Sequence, residues 1–353
     1  MGTRPRSIEP ARVSIILPGL VWPGSGIGAS LAEPELPALS SLLGRSQVRD
    51  EASQPWLQWL AQQFGADDLG WGALRLAGEE GLVKKSPDVL CADPVSLSFS
   101  SDALLLRGPR ELALTRDESA AILGMLNSEF SDLGEWISAS PTRFYLLTNE
   151  PVDAHFHPLA DVLGRPVAYF SPEGEKARHW NRISNAIQIA LHNHPINQAR
   201  GENGQLTVNG LWFWGQTEAP PKTLKVPANH LHSTDQVLRG LVRSSHAIQL
   251  IENPGRILAG LPGHAWIHDA RLQEAAQNGD FPGWLAALQT IEEALLRPLL
   301  TTWKEGRISE ITLLAPSDKI FVCATLKRSA RWQFWRKPLN KAALSRLLQT
   351  QTP

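Results

Sequence analysis

The sequence predicts an α/β protein built on a doubly wound, mostly parallel sheet, and three observations predict it. Val13 to Leu20, VSIILPGL, is apolar at consecutive positions, as in a strand buried on both faces. Apolar strand-like runs then alternate with segments of helical period down the chain. A glycine-rich loop, WPGSGIG, follows the first run directly, in the position of a strand-to-helix turn. The 353 residues suffice for one elaborated α/β domain over 1–353, with room for a subsidiary helical lobe over 30–85.

The elements follow in order. Prolines at 34 and 37, with Leu36, Leu39 and Leu43, mark a short helix, and Gln54 to Phe64 and Leu69 to Leu76 supply further helical pieces. From Val89 to Leu106 a Ser-Ser-Asp break separates two strands. TRDE at Thr115 is a capping box leading into Ile122, Met125, Leu126 and Phe130. Arg143 to Leu147 is a short strand, and loops dominate from Thr148 to Glu175. His179 to His194 carries the clearest helical period, since Trp180, Ile183, Ile187 and Leu191 share one face. Asn181, Asn185, Gln188 and His192 form a polar stripe about 100° around the same axis. Val208 to Trp214 and His246 to Ile251 are strands, Phe281 to Trp303 is a long helix, and Ile308 to Leu314 and Ile320 to Cys323 close the sheet.

Composition narrows the function classes. Thirty-four basic against thirty-five acidic residues leave a charge of -1, so nothing global draws the chain to nucleic acid or an anionic membrane, and neither is expected as a partner. Thirteen tryptophans are expected as core or pocket walls. Cys91 and Cys323 form no CxxC pair, which fits a reducing compartment, and the cytoplasm is expected. The basic MGTRPRS start and the apolar Val13 to Trp22 sketch a signal peptide, which Pro18 and Gly19 interrupt.

The segment His194 to Gly215, HPINQARGENGQLTVNGLWFWG, joins a helix to a buried strand, where open α/β sheets place ligand sites. Pro195 ends the helix, Gly201 and Gly204 permit a tight return, and Asn197 and Arg200 are expected to project from that rigid bend. A guanidinium offers a planar fork for carboxylate or phosphate oxygens, and Asn197 and Asn209 offer neutral donors and acceptors beside it. The bland alternative is that these groups satisfy turn carbonyls and cap strands.

The spacing HPxNxxRxxxGxxxxN, carried by His194, Pro195, Asn197, Arg200, Gly204 and Asn209, resembles the cofactor-independent phosphoglycerate mutases of archaeal type. The form ending in tryptophans is associated with uncharacterised bacterial relatives of those mutases. The resemblance implies the alkaline-phosphatase superfamily, with two divalent metals and a serine or threonine nucleophile moving a phosphoryl group between hydroxyls of glycerate. This chain departs from that pattern. The first strand ends in Pro18 and Gly19 where the family has a metal-binding Asp, no histidine follows His268, and Trp214 stands where the motif keeps an Arg. CADP, Cys91 to Pro94, corresponds to another family substrate segment, or Asp93 is a turn cap.

Other constellations are weaker. Three HxH pairs, His155 with His157, His192 with His194 and His230 with His232, raise a zinc-dependent hydrolase as a distant alternative. GSGIG follows a strand but lacks a P-loop lysine, and Ser25 has no identifiable base. KRSARWQFWRKPLNK, Lys327 to Lys341, mixes six cations with Trp332, Phe334 and Trp335, and its aromatics are expected to dock on the domain.

The sequence therefore predicts a degenerate phosphoglycerate mutase-like protein that binds a small phosphorylated or carboxylate ligand without a metal or other cofactor. His194, Asn197, Arg200 and Asn209 would form the receptor, with Trp212 and Trp214 walling it. An active mutase or another metal-dependent phosphoryl-transfer enzyme is the competing reading.

Overall fold

A computed structural model describes residues 10–24, 35–82, 88–100, 103–216, 224–333 and 335–350. The GSGIG residues 25–28, part of the 30–85 stretch and Phe334 lie outside them. The chain divides into two compact units, one formed by 1–65, 224–235 and 245–353, the other by 66–223 and 236–244.

The strands are β1 (Ala11–Ile16), β2 (Gln47–Asp50), β3 (Asp88–Ser100), β4 (Ala103–Arg107), β5 (Gly134–Ser140), β6 (Arg143–Thr148), β7 (Gly210–Trp214), β8 (His230–His232), β9 (Gln249–Leu250), β10 (His264–His268), β11 (Ile308–Ala315) and β12 (Val322–Lys327). In the first unit seven of them form one sheet, ordered β2-β12-β11-β1-β10-β8-β9. All neighbours from β11 to β9 are parallel, and β12 and β2 are antiparallel additions at one edge. This is the doubly wound, mostly parallel sheet that the apolar first strand announces, with β1 at its centre.

Alternation along β10 shows why both faces are covered. Ala265 and Ile267 join the cluster built from β1, β11 and the helices Pro37–Arg45 and Phe281–Ile291. Trp266 and His268 point to the opposite face, where the Trp56–Gln63 helix stacks Trp59 on Trp266 at 5.8 Å and Trp56 on His268 at 4.8 Å. The long helix expected over Phe281 to Trp303 is broken into Phe281–Ile291, a π turn over Glu292–Leu296 and Arg297–Glu305. Pro298 has no N–H to donate and crowds the preceding turn, which the wider π turn accommodates.

The second unit carries an antiparallel sheet ordered β4-β3-β6-β5, with β7 paired to β3. Its helices include Trp71–Gly78, Arg116–Glu129 and Ala177–Asn193. The Arg116–Glu129 helix starts on the capping box that TRDE predicts, with Thr115 and Glu118 each accepting from the other's amide. Within the stretch 30–85, Pro37–Arg45 and Trp56–Gln63 belong to the first unit and Trp71–Gly78 to the second.

Three local expectations need correction. The passage after His194 is a helix, Pro195–Glu202, because Pro195 both ends one helix and takes the first position of the next, where its missing N–H costs nothing. Asp93 is no turn cap but lies inside β3, where Pro94 falls between the stretch paired with β6 and the stretch paired with β4. In the basic aromatic segment Trp332 and Trp335 are not buried: they are 80% and 64% exposed.

Candidate functional site

The motif that the sequence singles out is assembled in the second unit. His194 is the N-cap of Pro195–Glu202, and its Nδ1 accepts from the Ile196 amide at 3.2 Å. Asn197, one turn in, donates to the carbonyls of Leu191 and Val208, each at 2.7 Å, and accepts from the Val208 amide at 2.8 Å. Its carboxamide thus ties the end of the Ala177–Asn193 helix to the chain entering β7. Asn209 does the same for β3, accepting from the Leu97 amide at 2.6 Å and donating to the Leu97 carbonyl at 2.9 Å.

Arg200 is 2% exposed. Its Nε donates to Leu206 O at 2.7 Å, Nη2 donates to Leu112 O, and Nη1 donates to Glu118 Oε1 at 2.7 Å. Glu118 uses its other oxygen on the Thr115 amide at 2.8 Å. Partial burial raises the Glu118 pKa, but the Thr115 amide and Arg200 outweigh it and hold the carboxyl below its ordinary value. The guanidinium is rigidly held, as expected, and the anion on it is the chain's own.

Trp212 and Trp214 share one face of β7, and each indole N–H is bonded within the chain. The Trp212 indole donates to His157 O at 2.8 Å and packs against Val95, Leu106, Val162 and Phe170. The Trp214 indole donates to Asp93 Oδ2 at 2.8 Å. Asp93 also receives both ends of the Arg75 guanidinium, at 2.7 and 2.8 Å, and Arg75 lies over the rings of Tyr145 and Trp214. Burial works against the Arg75 charge, and Asp93 outweighs it, raising the pKa well above the ordinary value. Beside this pair Glu79 accepts from Arg143 at 2.7 Å and from Tyr145 Oη at 2.6 Å. The sequence hinted at this centre only through CADP and the tryptophan replacing the motif's arginine. Its cation comes from the Trp71–Gly78 helix, too far along the chain for spacing to reveal.

The open groove beside His194, of about 560 Å³, is lined by Met125, Glu129, Phe130, Ile189 and Asn193 among others, with no Lys or Arg to receive an acid.

The donors for a pair of divalent metals can be tested at the carboxyl ends of the parallel strands in the first unit. After β1, Gly19 turns at φ +78 with the Gln273 backbone packed against it, and no side-chain ligand projects there. At the end of β10, His268 is stacked on Trp56 and its Nδ1 lies 3.0 Å from Ser233 Oγ. His232 Nδ1 lies 2.8 Å from Ile251 O, and Asp269 is held by Arg271. Among the described residues, no group of three or more His, Cys, Asp or Glu side chains is arranged to hold a metal ion. Two hard cations need several such ligands, so these residues do not fit the pair. The HxH histidines are likewise spent separately: His230 Nε2 meets Pro262 O, and His155 Nδ1 meets Gln216 Nε2.

The fold is a mixed α/β one with a mostly parallel sheet, and the chain's similarities lie among the phosphoglycerate mutases. The chain is 32% identical over 180 residues to the 2,3-bisphosphoglycerate-independent phosphoglycerate mutase of Methanosarcina mazei, covering 46% of this chain and 45% of that one. It is 35% identical over 63 residues to a probable enzyme of the same name from Geobacter sulfurreducens, covering 18% of this chain and 16% of that one. The matches span about half or less of the curated relatives. A solved Pyrococcus horikoshii protein shares the fold at a TM-score of 0.51 and 14% identity, covering 90% of this chain and 87% of that one. No family model matches the chain. The resemblance carried by His194 to Asn209 is thus borne out: this chain is similar to the archaeal-type cofactor-independent phosphoglycerate mutases.

Proposed function

We propose that this chain is a phosphoglycerate mutase-like protein that does not carry out two-metal phosphoryl transfer. One observation carries the reading: every side-chain nitrogen and oxygen of Asn197, Arg200 and Asn209 has a partner within the chain. Groups that recognise a substrate in an enzyme leave donors free to meet it, whereas here they clasp a helix end, a strand entry and a capping box. The unsuited donors at the ends of β1, β8 and β10 support the same conclusion. The test is conversion of 3-phosphoglycerate to 2-phosphoglycerate by the purified chain with magnesium, manganese or zinc. No turnover above the blank is expected, and metal-dependent turnover would overturn the proposal.

A second reading, binding of a small phosphorylated or carboxylate ligand, is favoured by one feature. The Glu118 side chain is 20% exposed while the Arg200 side chain beneath it is 2% exposed. A small acid that displaced Glu118 would meet a guanidinium already fixed by the Leu112 and Leu206 carbonyls. Glu118→Gln should then strengthen 3-phosphoglycerate binding in calorimetry and Arg200→Lys should weaken it. Equal affinity in the native chain and both variants removes this reading.

A further inference from the structure

We propose that the C-terminal stretch around Trp332 and Trp335 is a docking surface for a phospholipid bilayer bearing anionic headgroups. From Lys327 to Pro353 the sequence holds seven of the chain's 34 Lys and Arg residues and none of its 35 Asp and Glu. The near-neutral total therefore conceals a strongly basic end on an otherwise acidic chain. Within that end lie the two most exposed tryptophans, while the other eleven are buried or half-buried.

The chain is anchored on both sides of the two tryptophans. Ala330 is buried, and Arg331 donates to the Trp303 and Ile308 carbonyls. Arg336 donates to Arg45 O and Ser46 O at 3.3 and 3.2 Å, and Arg45 Nε returns a bond to Arg336 O at 3.2 Å. Two arginines thus act as pegs on either side of the tryptophans in the sequence, and the exposed Lys327, Arg328 and Lys337 flank the same stretch. Val48, two residues beyond Ser46 on the edge strand β2, adds an aliphatic side chain that is 55% exposed.

Indoles with their flanking cations match the headgroup level of a bilayer, where the ring straddles the acyl boundary and Lys or Arg meets anionic lipid. The charge complementarity selects anionic over zwitterionic lipid. Val48 favours a bilayer over single-stranded nucleic acid, because hydrocarbon receives a valine while a base stacks only on a ring.

The test is co-sedimentation of the full chain with vesicles of phosphatidylcholine alone or with about 30% phosphatidylglycerol. Binding to the anionic vesicles should exceed that to neutral ones by about tenfold and fall with added salt. Trp332→Ala with Trp335→Ala, and separately Arg328→Glu with Lys337→Glu, should each lower it by about fivefold or more with unchanged thermal unfolding. Binding that ignores lipid charge, or survives both double substitutions, overturns the proposal. So does capture of oligo-thymidylate, or of a second copy in gel filtration, through these residues without vesicle binding.

Discussion

Arg75 and Asp93 face each other as a two-pronged ion pair, 2.7 and 2.8 Å between nitrogen and oxygen, with residue exposures of 6% and 1%. A buried pair of this kind stands near balance between lost hydration and mutual attraction, so its net contribution is small while either partner alone is costly. Tyr145 and Trp214 seal it by ring contact and the Trp214 N–H. In the motif that this passage resembles an Arg is expected at the Trp214 position; here the cation, Arg75, comes from another element and is paired with Asp93.

Asp93→Ala should accordingly lower unfolding stability by about 3–5 kcal/mol, because it leaves the Arg75 charge buried without its counter-ion. Replacing both, Arg75→Met with Asp93→Leu, should recover most of that loss. Urea unfolding of the three variants measures the difference. A double variant no better than Asp93→Ala would show that the pair is not the source of the cost.

Glu118 sets a pH dependence. Its folded pKa lies below the ordinary value of 4.5. A carboxyl lowered in this way lends stability that is complete above its unfolded pKa and fades as pH falls through the folded one. Urea midpoints should therefore decline below about pH 4.5, with Glu79, lowered beside Arg143 and Tyr145, acting in the same direction. Glu118→Gln should start from a lower midpoint at neutral pH and decline less steeply in acid. An unchanged acid limb in that variant would assign the decline to other carboxyls.

The elements that the sequence made legible are those whose signal is local. Apolar runs revealed β1, β6 and β7, helical period revealed Ala177–Asn193, and the Thr115 capping box was readable from four consecutive residues. Strands such as β2, of four residues, and β8, of three, have no period long enough to read and exist because neighbouring strands complete them. At the candidate site the residue types and their rigidity were legible, but their partners were not. Arg200 looks the same in sequence whether it awaits a ligand or holds Glu118, 82 residues away along the chain. The antiparallel sheet of the second unit was visible only as separate strands, since pairing between Cys91 and Trp214 leaves no trace in local pattern.

Gly19 makes the lack of a side-chain ligand at the turn after β1 testable. Its φ of +78 disfavours any side chain, and a Cβ there would lie 2.5 Å from Gln273 Cα, a backbone atom that cannot swing aside. The neighbouring Trp284 indole also donates to Gly19 O at 2.8 Å, so a shift of this turn disturbs the core. Gly19→Ala should cost about 2–4 kcal/mol, and Gly19→Asp, the change nearest to restoring a carboxylate after β1, at least as much. Thermal and urea unfolding decide it. A Gly19→Asp chain of native stability would mean that the turn is still open to an acidic side chain.

Glu292 offers the last test, through a helix that cannot cap itself. The Pro37–Arg45 helix begins at Leu36, which has no side-chain acceptor for the first amides, and no acidic residue occupies its first turn. Glu292, 1% exposed in the π turn, receives the Ala38 amide at 2.7 Å on one oxygen and the Leu39 amide at 2.9 Å on the other. The carboxylate thus supplies both acceptors and the negative charge that a helix start favours. Glu292→Gln keeps the shape but turns an N–H group toward one of those amides and removes the charge. It should lose about 2–3 kcal/mol, nearly as much as Glu292→Ala, because both leave a buried donor unpaired. If Glu292→Gln instead unfolds at the native urea midpoint, neither the charge nor the second acceptor holds this helix, and packing of Leu39 and Leu42 must position it alone.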